Sequence, residues 1–310
     1  MRAVIESSRR LPPRSAVTRD EQFGWCIALP DGELLAVDDR LGDLARFRLP
    51  DDSAGGHAIR RDLNVAAVSG RSRVVAIDRA GNEVWEVPHS VWGRGDSERG
   101  SCWFSADGVY VWAHVPTEDG PDEWLLIESG SGGVAGRVPL SCYSAGSGMI
   151  RHPDGNRLGL SVGEGQDGSE TYFGRVERGL PVVERLDDRS RVVVAFSPDG
   201  DHFLSTPHSS GPIQLHRVSD GGVVASLEPA EALDEDDEFD LFGGFASPDL
   251  VLFTTQESDS VYAARVPHRD AGETVSGPGR SAGNPIVVID GGFLVVDWLS
   301  GEASTWRLSS

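Results

Sequence analysis

The stretch from Val192 to Leu227 constrains the fold of this chain more than any other part of its sequence. It contains four short apolar runs, at residues 192–196, 203–206, 213–218 and 223–227. Residues that favour tight turns separate the runs, and the first break is Pro198-Asp199-Gly200. Four strands joined in this way form an antiparallel meander. A single meander buries too little apolar surface to be stable, so we expect the rest of the chain to repeat it.

Seven equivalent turns recur along the chain, with anchors at residues 31, 70, 107, 154, 199, 249 and 290. A period of about 40 to 45 residues with four strands in each unit is typical of β-propellers. We therefore predict an all-β fold, a seven-bladed β-propeller of four-stranded antiparallel blades, as one domain over residues 1–310. Each anchor turn is predicted to follow the first strand of its unit.

The fourth run of several units is weak. It is expected near Ile59, Val91 and Val275, and the last unit has none before the chain ends. An open final blade would expose strand edges, which promote aggregation. The spare apolar run at residues 2–5 is therefore predicted to supply the missing strand and to close the ring.

The sequence Ser197-Pro198-Asp199-Gly200 between two apolar runs resembles the repeats of WD40-type β-propellers, and this resemblance spans nearly the whole chain. The third strands end in pairs such as Trp85-Glu86 in place of Trp-Asp, and no Gly-His pair precedes the first strands. Units one, two and seven also resemble quinoprotein-type repeats. These repeats are structural, so we expect no quinone and no other cofactor. The resemblance implies a binding or scaffold protein.

Composition excludes several functions. The formal charge is −21, and this opposes binding to nucleic acid or to an anionic membrane. All 28 basic residues are arginine, so a Schiff-base lysine is excluded. Three cysteines cannot pair evenly, and no apolar window suits a signal peptide or a membrane helix. We expect a cytoplasmic monomer without a disulfide framework.

Three local motifs are weak signals for chemistry. Residues 279–283 match the GxSxG pattern of hydrolases, but they lie in a glycine-rich connector and are interpreted as a linker. Acidic residues between glycines at 163–172 could bind Ca²⁺, although a solvated turn is the favoured interpretation. The eight histidines form no pair at metal-binding spacing, and no metal site is predicted.

Loops on one face of the propeller contain the unusual residues. An acidic run at 231–240 is either a solvated loop or a docking site for a basic protein, with aromatic residues as anchors. The leading hypothesis is a non-catalytic module that binds a protein partner on this face. The candidate binding residues are Trp92, Arg94, Arg99, Asp236, Phe239, Phe242 and Trp298.

The alternative is an enzyme that acts on a small molecule at the mouth of the central channel. Propellers include lyases, hydrolases and isomerases, but the fold alone predicts no reaction. An acid or base would then come from His114, His208, Glu164 or Asp167. Catalysis is the less favoured of the two hypotheses.

Overall fold

The computed structural model describes residues 1–20, 22–92, 100–143, 146–163, 168–186, 191–229, 237–256, 260–266, 273–275, 286–297 and 300–309. Within these residues, 28 β-strands pair into seven antiparallel sheets of four strands each. The fold is all-β, and the predicted numbers of blades and of strands in each blade are confirmed. Two compact units are present, Ala16–Arg189 and Met1–Ser15 with Ser190–Ser310. One domain over residues 1–310 stays a prediction.

The N-terminal strand β1 (Arg2–Arg10) belongs to the second of these units, and the unit Ala16–Arg189 contains sheets 1 to 4. Sheet 1 consists of β2 (Ala16–Asp20), β3 (Gly24–Ala28), β4 (Glu33–Val37) and β5 (Asp43–Arg48). Sheet 2 consists of β6 (Ser53–Ile59), β7 (Val65–Gly70), β8 (Arg73–Asp78) and β9 (Glu83–Pro88). Sheet 3 consists of β10 (Cys102–Phe104), β11 (Tyr110–Val115), β12 (Glu123–Glu128) and β13 (Val134–Pro139). Sheet 4 consists of β14 (Gly146–Arg151), β15 (Arg157–Gly163), β16 (Ser169–Glu177) and β17 (Leu180–Leu186).

The other unit contains sheets 5 to 7. Sheet 5 consists of β18 (Arg191–Phe196), β19 (His202–Pro207), β20 (Ile213–Arg217) and β21 (Val223–Leu227). Sheet 6 consists of β22 (Phe239–Ser247), β23 (Leu250–Thr255), β24 (Val261–Arg265) and β25 (Glu273–Val275). Sheet 7 consists of β26 (Ile286–Ile289), β27 (Gly292–Val296), β28 (Glu302–Ser309) and β1.

The N-terminal strand completes the last sheet, as predicted. Strand β1 pairs antiparallel with β28, from Arg2 opposite Ser309 to Arg10 opposite Glu302, with one irregularity between Ile5 and Ser7. The strand is longer than the run at residues 2–5 from which it was predicted. Because β28 is paired on both sides, only β1 and β26 are edge strands of sheet 7.

In the first two units, the predicted position of the anchor turn among the strands is wrong. The turns at residues 31 and 70 join the second and third strands of sheets 1 and 2, and do not follow the first strands. The first strands are β2, which is largely exposed or half-buried, and β6, which contains Gly55 and Gly56. Neither is an apolar run, so apolar periodicity does not reveal them. The run near Ile59 therefore begins sheet 2, and Val91 lies outside the strands.

The Asp-Gly turns can recur in different sheets because each turn is stabilised by hydrogen bonds between residues close together in the sequence. The Asp107 carboxylate accepts a hydrogen bond from the backbone nitrogen of Val109 at 3.0 Å, and Asp199 accepts one from Asp201 at the same distance. Gly200 has a φ angle of 77°, in the left-handed region that glycine tolerates without strain. The motif therefore specifies the hairpin between first and second strands in sheets 3 and 5.

The apolar core lies between neighbouring sheets of each unit. Leu34 and Phe47 of sheet 1, for example, pack in one cluster with Ile59 and Ile77 of sheet 2. Equivalent clusters join sheets 2 and 3, 3 and 4, 5 and 6, and 6 and 7. Packing between sheets thus supplies the burial that one meander lacks. In the part of the chain that the structure describes, no helix is both long and apolar enough to span a bilayer.

Candidate functional site

The candidate residues selected from the sequence divide into two groups. The first group lies outside the described residues and comprises Arg94, Arg99, Glu164, Asp167, Asp236 and Trp298. The motif at 279–283 and residues 231–236 of the acidic run also lie outside the described residues. The other group can be placed, and it comprises Trp92, His114, His208, Phe239 and Phe242. His208 is half-buried in the turn after β19, and Phe242 is half-buried against the core between sheets 6 and 7.

Two predicted aromatic anchors are core residues. Trp92 is 4% exposed, and its ring packs edge-on against the imidazole of His114 with centroids 5.3 Å apart. Phe239 is 1% exposed and packs edge-on against Phe253 at 5.1 Å. The expectation that these two side chains face a partner is therefore wrong. A large aromatic side chain in a predicted loop gains more by folding back onto the apolar core than by staying in water.

A hydrogen-bonded network surrounds His114, whose imidazole on β11 is fully buried. Its Nδ1 atom lies 2.9 Å from Ser147 Oγ, and its Nε2 atom lies 3.0 Å from Asp122 Oδ2. Ser147 Oγ is also 2.8 Å from Ser101 Oγ. We call these four residues, Ser101, His114, Asp122 and Ser147, the His114 network. Because Ser147 belongs to β14, the network connects sheet 3 to sheet 4.

Strand pairing brings a thiol to this network. Val115 of β11 pairs with Glu123 of β12, so Asp122, just before β12, lies beside His114. The backbone nitrogen of Asp122 donates to the carbonyl oxygen of Cys142 at 3.0 Å. Cys142 is buried, and ligand atoms of His114, Asp122 and Cys142 all lie within 4.8 Å of one another. The cluster has no sequence motif, because a loop separates His114 from Asp122 and strands β12 and β13 separate Asp122 from Cys142.

Buried polar groups also border Cys142 on the side of sheet 4. Ser169, Glu170 and Thr171 are buried in β16, so the interpretation of residues 163–172 as a solvated turn is wrong for this part. The Tyr172 hydroxyl accepts a hydrogen bond from the backbone nitrogen of Ser141 at 2.9 Å. Burial, with Cys142 and Glu170 beside it, raises the pKa of Tyr172. The phenol is therefore protonated at neutral pH.

The His114 network is poorly suited to acid–base catalysis. Serine, histidine and aspartate lie in the order of a nucleophilic triad. A catalytic imidazole must, however, exchange a proton with a substrate within hydrogen-bond reach. The ring of His114 is fully buried, and both of its nitrogens already have a side-chain partner. The arrangement is that of a structural connection between two sheets, and it gives no support to His114 as the acid or base of an enzyme.

A second buried histidine, His216 on β20, has a different set of partners. Its Nε2 atom is 2.8 Å from Ser205 Oγ, and its Nδ1 atom is 3.1 Å from the Gly221 carbonyl oxygen. The Arg191 Nε atom donates to Ser205 Oγ at 2.7 Å, and the Phe203 ring stacks on the imidazole at 4.6 Å. We call Arg191, Ser205, His216 and Gly221 the Arg191 network. Its described contacts involve hydroxyl and carbonyl groups and a guanidinium.

Exposed apolar side chains occupy one end of sheets 2 to 4. Each fourth strand leaves its sheet there, and we call the end formed by residues 89–92, 116–122 and 140–143 the connector end. Val91 is 62% exposed and Tyr143 is 70% exposed, and both lie in connectors. Glu118 and Asp119, between β11 and β12, are exposed at the same end. Tyr143 has no signal in the sequence, because its segment, Ser141-Cys142-Tyr143-Ser144, has no apolar pattern.

An apolar cleft lies between sheets 5 and 6. The described residues that line it include Leu204, Ile213, Leu227 and Val251, with Arg265 as the one charged side chain among them. Histidines and carboxylates are absent from this described lining. The cleft could accept an apolar group, but it offers no acid or base to one.

Comparison with known proteins identifies the fold. No family model and no curated protein matches the chain. Among solved structures, the β-propeller domain of Cps50 (Swd1) from Myceliophteria thermophila has a TM-score of 0.67 at 12% identity, covering 99% of this chain and 100% of that chain. BamB from Moraxella catarrhalis has a TM-score of 0.60 at 16% identity, covering 99% and 100%. Hydrazine synthase from Kuenenia stuttgartiensis has a TM-score of 0.64 at 14% identity, covering 98% of each chain. Together with the seven four-stranded sheets, these similarities show that the chain is a seven-bladed β-propeller.

Proposed function

We propose that this protein is a non-catalytic binding module that docks a basic segment of a protein partner at the connector end of sheet 3. The observation that supports this function is the exposure of Tyr143 on a backbone held in place. The preceding residue, Cys142, accepts a hydrogen bond from Asp122, and Leu140 donates one to the Asp122 carbonyl oxygen at 2.8 Å. A tyrosine offers a large contact area with few rotatable bonds, so an exposed tyrosine on a hydrogen-bonded segment binds at low entropic cost.

Charge at the connector end favours a basic partner. Glu118 and Asp119 are exposed there, and the whole chain has a formal charge of −21. A negative field accelerates association with a cationic segment and repels acidic competitors. Val91 adds exposed apolar surface at the same end of sheet 2. Cytoplasmic location and a monomeric state remain predictions.

The test is an affinity capture from native lysate with matched variants. Tyr143→Ala removes the proposed anchor without disturbing a buried contact. Val109→Ser is the control, because Val109 is 49% exposed in the hairpin turn at the opposite end of sheet 3. A protein that the wild type and Val109→Ser retain and that Tyr143→Ala loses, with binding weakened by added salt, supports the proposal. Identical partners for all three proteins, or no partner for any, would refute it.

A further inference from the structure

We propose that His114, Asp122 and Cys142 form a buried Zn²⁺ site between sheets 3 and 4. The three side chains come from β11, from the turn before β12 and from the connector after β13. They offer an imidazole nitrogen, a carboxylate oxygen and a thiol sulfur, which are the three donor types that zinc accepts in proteins. This inference does not depend on the proposed function, because the metal site would exist whether or not Tyr143 binds a partner.

The ligand atoms are close to the spacing that zinc requires. They lie within 4.8 Å of one another, and the His114 and Asp122 ligand atoms are 3.0 Å apart. Tetrahedral zinc with Zn–S of about 2.3 Å and Zn–N of about 2.0 Å separates sulfur from nitrogen by about 3.5 Å. Movements of about an ångström, within the reach of side-chain rotation, would complete the site. The Tyr172 hydroxyl, which accepts a hydrogen bond from the backbone nitrogen of Ser141 at 2.9 Å, lies close to Cys142.

Proton and charge balance favour zinc over an empty cluster. On binding, Cys142 loses its thiol proton to solvent, and its thiolate and the Asp122 carboxylate neutralise the two charges of the ion. A neutral site avoids the cost of leaving a net charge in the protein interior. Sulfur and nitrogen donors also select zinc over Ca²⁺ and Mg²⁺, which prefer oxygen.

Ser147 contacts the ring nitrogen of His114 that would not bind the metal, as a hydrogen-bonding group usually does at zinc-binding histidines. A ligating imidazole usually donates its other N–H to a nearby oxygen, and this bond fixes the ring and its tautomer. Ser147 Oγ is 2.9 Å from His114 Nδ1 and can accept that proton once Nε2 binds the metal. Ser147 can then donate its own proton to Ser101 Oγ, 2.8 Å away. The network is therefore compatible with both states of the histidine.

The first experiment measures metal content and cobalt spectra. Purified protein is stripped with a chelator, reloaded with Zn²⁺ or Co²⁺ and desalted. We expect one bound ion per chain and, with Co²⁺, a thiolate-to-cobalt absorption band with intense tetrahedral d–d bands. Cys142→Ser should lose the thiolate band, whereas Cys26→Ser, which removes a buried thiol of sheet 1, should keep it. No bound ion in the wild type, or an unchanged band in Cys142→Ser, would overturn the proposal.

The second experiment needs no variant and so does not depend on whether Cys142→Ser folds. X-ray absorption of the zinc-loaded wild type should show one sulfur at about 2.3 Å and lighter ligands at about 2.0–2.1 Å. A zinc shell without sulfur would place the ion elsewhere and overturn the assignment. Zinc should also raise the unfolding temperature of the wild type and of Cys26→Ser, since a ligand that binds the native state stabilises it.

Discussion

Two of the buried histidines, one from each unit, show how different neighbours give the same residue type different uses. His114 and His216 are both buried on strands, and each bonds to a serine hydroxyl. The second nitrogen of His114 faces the Asp122 carboxylate, with Cys142 nearby, whereas that of His216 faces the Gly221 carbonyl oxygen. The Asp122 carboxylate, with the Cys142 thiol beside it, therefore gives His114 neighbours that can bind a cation.

The Arg191 network has the opposite character. Arg191 is buried, and it donates to Ser205 Oγ and to the Pro212 carbonyl oxygen at 2.6 Å. Its permanent positive charge beside Ser205 and His216 repels a metal ion. Burial of a histidine is thus not evidence for a site. The charge of the groups around the histidine decides whether it is a ligand or a structural donor.

The largest expected effect comes from the same substitution at both histidines, measured in metal-free buffer. His114→Leu removes the imidazole 3.0 Å from the buried Asp122 carboxylate, and loss of a hydrogen-bond partner by a buried charged group costs about 3 kcal/mol. His216→Leu leaves Ser205 with its bond from Arg191, and we expect a loss of about 1–2 kcal/mol. Urea unfolding of the two variants gives both free energies. Equal losses of unfolding free energy in the two variants would show that the different neighbours of the two histidines do not change their contribution to stability.

The serines should show the reverse order. Ser205→Ala removes a partner from both Arg191 and His216, which are buried, so we expect a loss of about 2 kcal/mol. Ser147→Ala removes a half-buried hydroxyl that water can replace, so about 1 kcal/mol is expected. Denaturant unfolding at neutral pH distinguishes these values. A larger loss for Ser147→Ala would mean that the serine, and not the carboxylate, dominates the His114 network.

The smallest effect is a pH dependence that tests whether buried carboxylates make the unit Ala16–Arg189 sensitive to protons. Burial raises the pKa of Asp20 above 3.8, although Arg151 at 3.6 Å lowers it in part. The contribution of Asp20 to the free energy of unfolding is therefore present below pH 3.8 and is lost as pH rises through the folded-state pKa of Asp20. Relative to Asp20→Asn, the wild type should therefore become less stable as pH rises above 3.8.

Asp62→Asn is the control with the opposite sign. The Arg60 guanidinium, 2.8 Å from the Asp62 carboxylate, lowers the pKa of Asp62 below 3.8. That contribution is present above pH 3.8 and is lost as pH falls through the folded-state value. The change should be small because solvent screens this exposed pair. Calorimetric scans over the acid range compare the two variants, and slopes of the same sign would contradict one of the two assignments.

The seven repeats could be predicted from the sequence, but the first strands of two sheets could not. The Asp-Gly turns depend on residues two or three positions apart, so they are visible in any stretch of the chain. Strands β2 and β6 have no apolar run because exposed residues and glycines make up much of them. Their identity depends on pairing with β3 and β7, which sequence periodicity does not reveal.

Candidate sites were harder to predict than strands. The loop-like segments around Trp92 and Phe239 predict exposed anchors, yet both side chains pack into the core. The sequence suggests His114 as an acid or base, but it does not reveal the neighbours Asp122, Ser147 and Cys142. The exposure of Tyr143 could not be predicted either, since exposure of a connector residue depends on the surrounding fold and not on its local sequence.

The sequence by itself determines that this chain forms seven antiparallel meanders, because turns and strand alternation depend on neighbouring residues. It also determines a strongly acidic, lysine-free protein. Only the tertiary structure decides which strand begins each sheet, which aromatic residues are buried and which polar groups surround His114. Those outcomes depend on contacts between residues that are far apart in the chain, and the free energy of such contacts is set by packing and burial.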